Sequence, residues 1–170
     1  MVAKSPRPKK DHVEALREAW ARELPDLDTE GMAILGRMRR IVLASRPQIE
    51  AVFAAHGLDA GEFDVLATLR RSGGRLRPTE LYQALMISSG GLTARLTRLE
   101  REGLVTRKPS DIDARSLLVQ LTPKGRRLAD QTIRKDMAVE RAIIDALPLA
   151  DRKSLAVLLS KLAVAMEAKA

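Results

Sequence analysis

Three arginines stand three residues apart in SSGGLTARLTRLEREGLV, residues 88–105: Arg95, Arg98 and Arg101. Guanidinium groups offer forked donors to anions, matching phosphate oxygens and guanine edges. The stretch opens on Ser88, Ser89, Gly90 and Gly91, so the start of the predicted helix is nearly bare. Unsatisfied amides and the helix dipole make such a start attractive to a phosphate. At about 100° per residue, Leu92, Leu96 and Leu99 share one side, while Gly90, Ala94, Thr97 and Arg101 lie opposite, with Gly91 and Arg98 at one shoulder. Small residues at the front, Thr93 and Ala94 among them, permit close approach to a duplex. Thr97, Arg98 and Arg101 supply hydrogen bonds to base edges or phosphates. A solvated helix with ordinary Glu and Arg pairs is the plainer alternative. Arg95 falls beside the leucine stripe, where a cation needs an internal carboxylate, such as Asp64, or an anionic ligand.

The elements that must hold this helix are legible from periodicity and punctuation. Val13, Leu16, Trp20 and Leu24 form one stripe over residues 11–24, ended by Pro25. Residues 29–55 predict a longer helix with Met32, Leu35, Met38, Val42 and Ile49 near one side. Asp59 and Glu62 predict a capping box for the next helix, whose Phe63, Leu66 and Leu69 face inward until SGG at 72–74 ends it. Pro78 and Thr79 start a short helix through Leu85, and so little chain separates it from the arginine helix that the two read as helix-turn-helix. After Gly103, Val105 to Lys108, the turn-rich PSDIDARS and then LLVQL predict strand, loop and strand, which is a wing. Thr122 and Pro123 cap a helix to about Leu147, and a last helix follows Pro148.

The expected fold is therefore mainly α with a small β wing. A winged helix-turn-helix domain at 59–121 is flanked by dimerisation helices at 29–55 and 123–170, an extra N-terminal helix at 11–24 and a basic disordered arm at 1–10. The final helix is apolar around most of its circumference, from Leu155 to Met166, which predicts a partner chain. A two-fold dimer would offer two recognition helices to half-sites about 10 base pairs apart.

Composition narrows the class. The 170 residues carry a net charge of +8, and charge is concentrated where it matters. Residues 1–10 hold four cations and no acid, and residues 88–127 hold nine against four acids. Cysteine is absent, and His12 and His56 are too distant in sequence to suggest a metal pair. No run approaches the roughly 18 apolar residues of a membrane span, and MVAKSPRPKK lacks the apolar core of a secretory signal, so the expected setting is cytoplasmic. Walker, H-E-x-x-H, G-x-S-x-G and G-x-G-x-x-G patterns are missing, which argues against an enzyme and against a bound cofactor.

PTELYQALMISSGGLTARLTRLEREGLV followed by DIDARSLLVQLTPKG resembles the MarR family of winged-helix transcriptional regulators over nearly the whole chain. The resemblance implies a homodimeric repressor on a pseudo-palindromic operator in double-stranded DNA. It also implies that Arg115 of the Asp113-Ala114-Arg115 triplet enters the minor groove while Asp113 holds the wing's shape. Lys108, with Arg107, Lys124 and Arg126, would contact phosphates or support the wing. WARELPDLDTEGMAILGRMRR and GLDAGEFDVLATLRRSG are similar to a urate-responsive, PecS-like subgroup. That similarity implies an effector, urate or a related anionic purine or aromatic, held by Trp20, Asp64, Arg95 and Arg107. Ala94 departs from the subgroup, which often has Asn there. On this reading Arg95 and Arg107 bracket the junction of recognition helix and wing, with Asp64 as their resting partner. Trp20 is open to a second reading, as a staple of the extra helix onto the body. A ligand-independent, sequence-tolerant architectural DNA binder is the alternative function.

Overall fold

Capping side chains and prolines set most of the element boundaries. The computed structural model describes residues 10–85, 91–109 and 117–168, so the expected basic arm falls almost wholly outside the described residues. The chain divides into two compact units at Pro47 and Gln48.

In the first unit α1 (His12–Glu23) starts where the Asp11 carboxylate accepts the Glu14 amide at 2.9 Å. Val13 is its one buried residue, packed against Gly36. The expected long helix is interrupted: Met32–Gly36 forms a π turn before α2 (Arg37–Ala55). Arg37 is the local organiser. Its guanidinium donates to the Ala33 carbonyl beside the π turn at 2.8 Å, to Asp11 at 2.7 Å and to Glu14 at 2.9 Å. The two carboxyls are held below their ordinary values chiefly by these bonds. Apolar periodicity cannot register a π turn of this kind, because its cause is polar. Helix α2 also runs through Pro47, whose ring removes one internal hydrogen bond where the two units divide.

The second unit carries the core. Phe53 of α2 stacks on Phe63 of α3 (Ala60–Arg71) with ring centroids 4.1 Å apart. Around them Val65, Leu66, Leu69, Leu81, Leu96, Leu99, Val105 and Val119 are buried, each contributing roughly 1.5–3 kcal/mol by leaving water. The capping box is present: Asp59 accepts from the Glu62 amide at 2.7 Å, and Glu62 accepts from the Asp59 amide at 2.9 Å. Next come α4 (Pro78–Ala84) and α5 (Leu92–Arg101). The hairpin strands are β2 (Val105–Pro109) and β3 (Leu117–Leu121), with Val105 opposite Leu121 and Arg107 opposite Val119. A third strand, β1 (Arg75–Leu76), pairs antiparallel with β3 and was not expected, since two residues carry no periodicity. The sheet order is β1-β3-β2.

Helix α6 (Pro123–Ile144) opens as expected, with the Thr122 hydroxyl accepting from the Gly125 amide at 3.0 Å. Gly125 rests directly on β2's entry: a Cβ there would lie 1.9 Å from the Leu104 carbonyl oxygen. Helix α7 (Leu149–Glu167) has no buried residue, leaving Leu155, Leu158, Leu162 and Val164 exposed in the single chain. Among the described residues no helix is long and apolar enough to cross a membrane.

Two stability predictions follow from α6. Gly125→Ala meets backbone rather than a side chain that can swing away, so it should cost on the order of 2–4 kcal/mol in urea unfolding; a variant as stable as the parent would refute the close contact. Asp136 is buried with Oδ1 unpaired among the described residues, and burial, with the Glu140 charge one turn on, pushes its carboxyl up to about 6 from 3.8. Because the folded value is the higher one, its ionisation weakens the fold as pH rises from about 4 through about 6, by on the order of 2–3 kcal/mol. Asp136→Asn should therefore gain on the parent between pH 4.5 and pH 8. A difference between the two proteins that is flat with pH would contradict this.

Candidate nucleic-acid interface

Helix α5 is amphipathic in the sense expected. Leu96 and Leu99 are buried, and Leu92 packs against the same core. Gly91 caps its start with φ +76°, a left-handed conformation that suits glycine. Gly91, Thr93, Ala94, Thr97 and Arg101 are exposed on the other side, Arg101 by 73% of its side chain. Ser88, Ser89 and Gly90 lie outside the described residues, as do Asp113 and Arg115 of the wing. Lys108 is exposed on β2.

Two expected base readers are already engaged. Arg98 keeps 44% of its side chain exposed at the shoulder of the helix, yet its guanidinium is committed within the protein. Its guanidinium turns back onto Glu62 of α3, which is only 2% exposed, and also donates to the Gly57 carbonyl at 3.0 Å. The physical reason is the buried carboxylate, which needs a cation, and Arg98 is bonded to it. The wheel locates Arg98 correctly within the helix but cannot see an acid on another one. The Thr97 hydroxyl donates to the Thr93 carbonyl at 3.0 Å and accepts from Arg107 Nη2 at 2.9 Å.

Arg107, expected to flank an anion, ties β2 to α5. Besides Thr97, it lies 3.2 Å from a Glu100 carboxylate oxygen, and its own amide donates to Glu100 at 3.2 Å. Arg95 goes the other way. Its guanidinium lies across Gly61 at the start of α3, with Nε 3.9 Å from Asp59. Arg107 is thus at the junction of α5 and β2, and Arg95 rests against α3, where Gly61 has no Cβ to block it. Asp64 is buried one turn further along α3, receiving the Thr68 hydroxyl at 3.5 Å, with Arg71 at 4.0 Å. Trp20 belongs to the first unit, on α1, and is 44% exposed.

Helix α4 contributes residues that the sequence pattern did not single out. Pro78, Thr79, Tyr82 and Gln83 line an open cleft of about 500 Å³ with Gly91, Leu92 and Thr93. Leu81 anchors α4 in the core, which turns the neighbouring Tyr82 outward beside the bare start of α5. The available signal was the spacing of Thr79, Tyr82 and Gln83 along one face of a short helix.

The MarR family profile matches residues 56–116, from the turn before α3 into the wing. Over 146 residues the chain is 37% identical to the HTH-type transcriptional regulator PecS of Dickeya dadantii (strain 3937), covering 85% of this chain and 88% of that protein. Among solved structures, AbsC, a MarR family transcriptional regulator from Streptomyces coelicolor, is similar with a TM-score of 0.70 and 28% identity, over 84% of this chain and 97% of AbsC. A mutant of MarR from E. coli complexed with operator DNA is similar with a TM-score of 0.65 and 25% identity, over 84% and 96% of the two chains. The similarity to PecS covers well over two thirds of both chains, and so the chain belongs to the MarR family of DNA-binding transcriptional regulators.

Proposed function

We propose that this chain is a homodimeric repressor of a pseudo-palindromic operator, released from DNA by a small anionic aromatic ligand such as urate. The observation that carries the DNA half is the outward face of α5, where Gly91, Thr93 and Ala94 are exposed above a buried leucine stripe. That face enters the major groove, with Arg101 and Lys108 on phosphates or base edges and Arg115 in the minor groove. Arg98 serves this interface indirectly, by fixing α5 on α3. Ser88, Ser89 and Gly90 complete the approach to the duplex, and Asp113 shapes the wing.

Dimerisation is supported by the apolar surface left open on α2, α6 and α7, far more than scattered exposure would give. The solved MarR complex with operator DNA has the same fold.

The effector half rests on the similarity to PecS and on the charges of Asp64, Arg95 and Arg107. Arg95 is 27% exposed on its side chain, within reach of an anion, with Asp59 at 3.9 Å. Any loss of DNA affinity that an anion causes by engaging it must be matched by an equal loss of ligand affinity on DNA.

A gel shift with DNA flanking the protein's own gene tests both halves. The operator should bind by at least about 10³-fold over random DNA at fixed salt, and urate should release it. Equal affinity for random DNA would point to a sequence-tolerant architectural binder. Trp20 is the single tryptophan, so urate should also change its fluorescence; emission and DNA affinity both untouched by urate would remove the effector while leaving the DNA reading in place.

A further inference from the structure

Gly61 is helical and its backbone has no need of glycine: it sits at the second position of α3, and its φ is not positive. Glycine in a helix costs up to about 1 kcal/mol relative to alanine, so the close approach of a neighbour accounts for its presence. That neighbour is one side chain. A Cβ on Gly61 would stand 2.1 Å from Arg95 Nε and 2.3 Å from Arg95 Cζ. The guanidinium therefore rests against the backbone of α3 at Gly61, with Nε 3.9 Å from the Asp59 carboxylate.

We infer that Gly61 is a positioning residue for the effector response: the absence of its side chain sets where Arg95 waits and so how readily an anionic ligand engages it. This rests on the ligand reading above and adds a residue to it that need not touch the ligand. A methyl group at 61 would not break α3, because the atoms it meets are the far end of a flexible side chain. It would instead push Arg95 off its bed, away from Asp59.

Alanine at 61 separates the two ideas. In purified full-length dimer, Gly61→Ala should shift the urate concentration for half-release of operator DNA by about ten-fold or more, while affinity for DNA without urate stays within about three-fold. Thermal unfolding supplies an arm that needs no ligand. In an Arg95→Ala background, Gly61→Ala should raise Tm, as helix propensity dictates; with Arg95 present that gain should vanish or reverse. An identical Tm change in both backgrounds, or an unaltered urate midpoint in a parent that does respond, would overturn the inference. Should the parent ignore urate while the two substitutions remain non-additive, the hold of Gly61 on Arg95 is supported and the urate reading fails instead.

Discussion

A buried carboxylate on α3 governs how the DNA-facing helix is held. Glu62 is almost wholly out of water, where an unpaired charge would cost several kcal/mol. It is satisfied from two sides: the Asp59 amide closes the capping box, and Arg98 of α5 supplies the counter-charge. One side chain therefore both starts α3 and clamps α5 against it. Arg98 extends the clamp to the Gly57 carbonyl, in the turn where Gly57 takes a φ of +72° before α3 begins. Hydrophobic burial of Leu96 and Leu99 drives the packing, but apolar contacts are non-directional. The ion pair supplies the direction.

The opposite side of α5 is tied with equal economy. Arg107 joins β2 to Thr97 and Glu100, so the recognition helix is linked by polar contacts to α3 on one flank and to the wing's first strand on the other. Gly125 lets α6 sit on the Leu104 backbone, which fixes the strand's entry. A displacement of α3 relative to α5 would then be transmitted to the wing, because α5 lies between them and holds both. Under the proposed effector reading, this gives an anion that draws on Arg95 a physical route to the DNA-binding elements, through packed side chains with discrete partners.

Helix boundaries were legible in the sequence wherever a local cause set them: the Asp59 and Glu62 box, Pro78, and Thr122 before Pro123 each mark a helix start within one residue. The leucine stripe of α5 was legible for the same reason, since the period is a property of the helix alone. What the sequence hid is what depends on partners distant along the chain. Arg98 reads as a solvent-facing cation until Glu62, thirty-six residues earlier, is known to be buried beneath it. The π turn at Met32–Gly36 and the two-residue β1 are shorter than any period. Tyr82 looked unremarkable because its place beside Gly91 depends on how α4 meets α5. The resemblance to a ligand-responsive subgroup picked out Arg95, yet the role of Gly61 beneath it needed coordinates.

The central claim is that Glu62 and Arg98 act as a unit in holding α5, and a double-mutant cycle in chemical unfolding reads it directly. Arg98→Met should cost about 2 kcal/mol, less than for a fully buried pair because Arg98 is half exposed. The same substitution should cost much less once Glu62→Gln has removed the buried charge, giving a coupling on the order of 1–2 kcal/mol. Strictly additive losses, or an Arg98→Met protein as stable as its parent, would mean that this ion pair does not hold the recognition helix on α3.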